Sequence, residues 1–166
     1  LAEQMTRISS LSKSIEGIYA PISDGADANA ILSQMVQSGL MLEIYGNQDW
    51  FLGKGFESSP ELSNKLTFDS DYFIDFNDAA FKEFSTFFKN TAGIETNRNI
   101  LYGYDTAKYI LTVIRNIEPT RKNIKYKIES GINVTGFHNN ISFDNDRTNK
   151  FINVVRFKDG VFELVD

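Results

Sequence analysis

The chain has 166 residues, 42% hydrophobic, 13% aromatic and 23% charged, a balance that suits one compact domain around a single core and excludes the low-hydropathy, high-charge profile of a disordered segment. Seventeen Lys and Arg against 22 Asp and Glu leave a net charge of −5, the wrong sign for tracking a phosphate backbone; the absence of cysteine removes thiol catalysis, thiolate zinc sites, iron–sulfur clusters and disulfides together. No apolar run approaches the roughly 20 residues that a membrane helix needs. The sequence begins at Leu1 without Met and enters a helix-like segment at once, from which we expect a processed product or a piece of a longer chain.

Leu1, Met5, Ile8 and Leu11 fall at helical spacing and predict an amphipathic helix from Leu1 to Lys13. Gly17 to Ile22 is a short apolar run that fits a buried parallel strand, stopped by Ser23-Asp24-Gly25. Asp27 stands where an N-cap is expected, and Ala28, Ile31, Leu32, Met35 and Val36 form one face of a helix closed by Gly39. A second strand, Leu42 to Tyr45, runs into the loop Gly46-Asn47-Gln48-Asp49, completing a strand, helix, strand unit.

Leu66 to Phe76 alternates loosely and predicts a third strand interrupted by Asp69-Ser70-Asp71. Asn77 or Asp78 caps the next helix, whose Phe81, Phe84, Phe87 and Phe88 are expected to be core. A helix from about Tyr104 to Asn116 and a shorter basic one around Arg121 to Ser130 follow, separated by Pro119. From Asn140 the period becomes two, with Lys158-Asp159-Gly160 as a hairpin turn. The fold class is α/β, with expected segments 1–76, 77–137 and a terminal β-ribbon 138–166.

Catalytic and metal motifs are weak. Gly53-Lys54-Gly55 lacks the third glycine of a phosphate loop, and His138 is the only histidine, read as a loop or strand-edge residue. Asp144-Asn145-Asp146 opens like a calcium loop, but the frame then puts Asn149 where Gly is required and Val155 where Glu is required, so a polar turn is expected. The acidic run Asp69, Asp71, Asp75 and Asp78 reads as a solvated edge. We expect no enzyme activity, no metal and no cofactor.

The loops after the first two strands carry the remaining chemistry. In open parallel sheets, ligands sit in the crevice beyond the carboxyl ends of the strands. There Ser23, Asp24, Asn47, Gln48 and Asp49 supply donors and acceptors, and Tyr19 and Trp50 supply flat apolar surface, a mix suited to a small polar solute.

Several segments in order carry a resemblance: Gly17-Ile18-Tyr19 with Gly39-Leu40; Tyr45-Gly46-Asn47-Gln48-Asp49-Trp50; Tyr102-Gly103-Tyr104-Asp105-Thr106-Ala107; Ile141-Ser142-Phe143-Asp144; and Phe157-Lys158-Asp159-Gly160-Val161-Phe162. Together the chain resembles the C-terminal half of type I periplasmic solute-binding proteins, the leucine/isoleucine/valine-binding family that feeds ABC importers. The resemblance implies a clamshell of doubly wound α/β lobes, of which this chain is part, and a solute-binding role outside the cytoplasm with a membrane permease as partner. The parent would be lipid-anchored. Ser23 falls at the family's aromatic position, and Gln48 at its carboxylate position with Asp49 beside it, so amino-acid specificity depends on Asp49 substituting for the charge. The alternative is a ligand-free structural or regulatory domain of a cell-envelope lipoprotein. Uncovered sheet edges lead us to expect a homodimer of the isolated fragment.

Overall fold

The computed structural model describes residues 2–11, 14–145 and 147–165. Where composition predicts a single core, the chain divides into two compact units: one comprises the residues up to Ser70 together with those from Asn153 on, the other Asp71–Ile152. The reason is topological. The sheet that begins near the N-terminus is completed by strands from the C-terminal end, and the intervening residues bury their apolar side chains among themselves.

The first unit holds α1 (Ala2–Leu11), β1 (Gly17–Tyr19), α2 (Gly25–Gln37), β2 (Glu43–Gly46), α3 (Pro60–Ser63) and β3 (Leu66–Ser70), and later β6 (Asn153–Lys158) and β7 (Val161–Leu164). The sheet order is β1-β2-β3-β6-β7. β1, β2 and β3 are parallel, and β6 and β7 are antiparallel. Because strand side chains alternate between faces, the registers Ile44↔Leu66 and Phe68↔Val155 place these four buried residues on one face. That face is covered by an aromatic layer, in which Phe162 meets Phe51, Phe56 and Phe157 at ring distances of 5.0, 5.9 and 5.2 Å. Tyr19 and Tyr45, paired in register on the opposite face, are exposed. β1 is therefore not the fully buried strand that its apolar run predicts. As the open edge of the sheet it is only three residues long, and nothing in the structure supports the expected homodimer.

The N-cap of α2 is Asp24, three residues earlier than predicted: its Oδ1 accepts from Ala26 N–H at 2.8 Å, and Asp27 falls in the first turn, where a negative charge suits the helix dipole. At the other end Leu40 N–H donates to Met35 O and Gly39 N–H to Val36 O, a Schellman closure. In α1 only Met5 is buried and Leu11 is exposed; the predicted ends Leu1 and Lys13 lie outside the described residues. At the C-terminal ribbon Asp159 and Gly160 take φ of 49° and 90°, as a tight hairpin between β6 and β7 requires.

The second unit holds α4 (Ala79–Ala92), α5 (Arg98–Ile114), α6 (Arg121–Glu129), β4 (Val134–Thr135) and β5 (Asn140–Ile141). The predicted third strand stops at Ser70, because residues 71–76 leave the sheet: Phe73 N–H bonds His138 O at 3.0 Å, and Ile74 is buried with Phe81 and Leu101. Asp78, and not Asn77, caps α4 by accepting from Phe81 N–H at 2.7 Å. The phenylalanine stripe of α4 is only partly core: Phe81 is buried, whereas Phe87 is 66% exposed. α5 starts six residues before its predicted beginning, since Asn97 Oδ1 caps Ile100 N–H at 3.1 Å. A second cluster of Tyr109, Val113, Val134 and Ile141 joins α5 to the β4–β5 ribbon.

Trp50 is the only tryptophan and is buried in the first unit, so its emission reports on that unit. Leu66→Ala, which removes a fully buried side chain from the same core, is expected to cost about 2–5 kcal/mol. Denaturant titration followed by Trp50 fluorescence would show it as an earlier midpoint; an unchanged midpoint would refute the assigned core position.

Candidate ligand-binding site

The first unit brings the turns beyond β1 and β2 together. Ala20 N–H continues the parallel ladder to Tyr45 O at 2.7 Å. Past that point the chains part, and side chains take over the pairing. Asn47 Oδ1 accepts from Ile22 N–H at 3.0 Å, while its Nδ2 donates to Ile22 O at 2.8 Å and to Asp49 Oδ2 at 3.1 Å. Trp50 Nε1 donates to Ala20 O at 2.8 Å. Residues 48–52 form a 3-10 turn, and the Leu52 carbonyl approaches Gly25 so closely that a Cβ there would overlap it.

This geometry sorts the seven predicted ligand residues. Ser23, Asp24 and Tyr19 are exposed, and Gln48 and Asp49 are half-buried. Asp24 has one oxygen committed to the α2 cap, and Asp49 has one held by Asn47. Asn47 spends its amide on backbone groups and on Asp49. Trp50 departs from expectation: it is fully buried and presents no flat surface to a solute, because its ring fills the space beneath Gly46 and its N–H needs Ala20 O as a partner. What remains is a polar rim of hydroxyl, amide and two carboxylates held on a rigid base.

The second unit carries a polar cluster that the sequence reading passed over. Asp105, fully buried on α5, accepts from Phe137 N–H at 2.9 and 2.8 Å and from His138 N–H at 3.0 Å, and pairs with His138 Nδ1. Burial pushes its carboxyl pKa up, but the His138 side chain, the two amides and the imidazole charge outweigh that and hold it below the usual aspartate range. Gly136 has no side chain because Asp105 occupies the space where one would go. His138 therefore sits in the β4–β5 turn, as expected of a loop residue, but buried and paired. Beside it, Arg98 lies 5.0 and 5.3 Å over the rings of Tyr72 and Tyr102, and its Nη2 donates to Tyr102 Oη at 3.0 Å and to Asp71 Oδ1 at 3.2 Å. Burial raises both phenol pKa values, so at neutral pH the hydroxyls stay protonated. Arg98 and Tyr102 stand four apart on one helix, a signal visible only once α5 is started at Asn97. No group of three or more metal-ligating side chains forms among the described residues. Asp144 pairs with Lys150 at 2.7 Å, and Asp146 of the calcium-like segment lies outside the described residues.

Two outcomes are expected. Asn47→Ala strands the buried N–H and C=O of Ile22 and is expected to cost roughly 1–3 kcal/mol, read as an earlier unfolding midpoint with a red-shifted Trp50 emission. Since the folded-state pKa of Asp105 is depressed, its contribution is complete above about pH 4 and lost as pH falls further. In Asp105→Asn, the protection of the Phe137 and His138 amides against hydrogen exchange should fall at pH 7; unchanged protection would contradict the network.

No family model matches the chain, and no curated protein matches it. Among solved structures, a branched-chain amino acid ABC transporter protein from Rhodospirillum rubrum matches over 98% of this chain and 47% of its own, with 15% identity and a TM-score of 0.70. An ABC transporter substrate-binding protein from Desulfitobacterium hafniense matches over 99% and 48%, with 16% identity and a TM-score of 0.64. The leucine-binding protein LivK from Thermotoga maritima matches over 99% and 47%, with 20% identity and a TM-score of 0.53. The chain thus has the fold of the type I periplasmic binding proteins and spans about half the length of these relatives.

Proposed function

We propose that the chain is part of an extracytoplasmic receptor that holds a small polar, amino-acid-like solute and hands it to the permease of an ABC importer. The observation that carries this reading is the stitching of the two strand-end turns by Asn47 and Trp50, which leaves Ser23 and Asp24 exposed and Gln48 and Asp49 half-buried on a fixed base. Preorganised polar groups bind a solute with little ordering cost. Binding is non-covalent and selects one conformation over another; no bond is made or broken.

The charge pattern narrows the solute. An ammonium needs a carboxylate, and Gln48 supplies none. Asp49 does: Asn47 orients one oxygen and leaves Oδ1 without a partner among the described residues. A second reading, a ligand-free interaction domain of a cell-envelope lipoprotein, draws on the exposed apolar side chains of the second unit, Phe76, Phe87 and Leu111, at 66%, 66% and 64% exposure.

Isothermal titration of the full-length parent with amino acids and small polar solutes decides between them. The receptor reading expects saturable binding of an ammonium-bearing solute, weakened about tenfold or more by Asp49→Asn with the Trp50 unfolding midpoint unchanged. Silence across the panel would favour the interaction domain.

A further inference from the structure

A groove of about 720 Å³ opens on the second unit between α6 and the turn that follows β5. Its floor is apolar. Ile124 and Ile128 of α6 and Phe143 are the half-buried fringe of the cluster built on Tyr109, Val113, Val134 and Ile141, and each turns its remaining surface into the groove. The volume falls in the range of roughly 300–1,000 Å³ typical of small-molecule sites.

The rim is charged and unevenly satisfied. Glu129 is paired with Lys125 at 3.5 Å, and Asp144 with Lys150 at 2.7 Å, so both carboxylates on the groove are neutralised by neighbours. The guanidinium groups of Arg121 and Arg147, which also line it, make no hydrogen bond or ion pair with any described residue; the one tie of Arg147 to the turn is its backbone N–H, which donates to Asp144 O at 3.2 Å. In a chain with five more acidic than basic residues, two guanidiniums without carboxylate partners beside an apolar floor are a local excess of positive charge. A guanidinium offers a planar fork of donors that matches a carboxylate.

We propose that this groove binds an amphipathic carboxylate, its alkyl or aryl body lying on Ile124, Ile128 and Phe143 and its head group taken by Arg121 and Arg147. The groove shares no residue with the solute rim, since every residue in it belongs to the second unit. Burying an apolar tail drives the association, and the arginines select the anion over the neutral analogue.

The test is a titration of the isotope-labelled chain with octanoate and, separately, with octan-1-ol, followed by amide and side-chain resonances. Octanoate is expected to shift Ile124, Ile128 and Phe143 and to bind several-fold tighter than the alcohol. Arg121→Gln and Arg147→Gln, both surface changes, should each weaken octanoate roughly threefold, and the double variant should bind acid and alcohol alike. Equal affinity for acid and alcohol in the unaltered chain would overturn the proposal. So would octanoate shifts confined to other residues, or a double variant that still prefers the acid. An acidic amphipathic peptide that shifts these resonances where octanoate does not would assign the groove to a protein partner instead.

Discussion

The rim of the first unit depends on one side-chain amide. Parallel strands diverge past their last ladder bond, and the backbone groups there lose their partners just as the chain becomes buried. Asn47 replaces the missing ladder: it answers both the N–H and the C=O of Ile22, as a paired strand residue would, and holds Asp49 with what remains of its donor capacity. Trp50 adds the next bond along, to Ala20 O. The outward groups owe their positions to these inward ones.

The second unit solves a related problem with charge. Its ribbon is too short for ladder bonds to fix the β4–β5 turn, which has only two residue pairs. A carboxylate buried on α5 gathers two turn amides and an imidazole instead. An ionised group in the interior is costly alone, and here hydrogen bonds outweigh the burial penalty.

Much of this was legible in the residues. The strand, helix, strand order over 17–49, the Asp159-Gly160 hairpin and the short basic helix after Pro119 carry local signals strong enough to survive folding. The failures have physical causes. Asp24 and Asp27 are both good caps, and only the hydrogen bond from Ala26 N–H to Asp24 Oδ1 reveals where α2 begins. The α5 start was hidden because Gly103 looks like a helix entry, while the true cap, Asn97, precedes Arg98. Apolar content is silent about which side chains share a core, so the division into two units could not be read from composition. Trp50 illustrates the limit at the site itself: a tryptophan in a loop reads as a ligand platform until its N–H is seen to have an internal partner.

The register Ser70↔Asn153 pairs the last residue before the second unit with the first residue after it. The second unit is thus spliced into a single antiparallel seam, between two strands that lie side by side. On a ribosome, β3 emerges long before β6 exists, and the seam stays open until all of residues 71–152 have been made. Closing so long a loop carries an entropic penalty that grows with its length, but a compactly folded insert shortens the span that must be closed. Early collapse of the helical unit therefore speeds completion of the sheet, and a lesion in the helices, far from any strand, would surface as a late assembly defect in β3–β6.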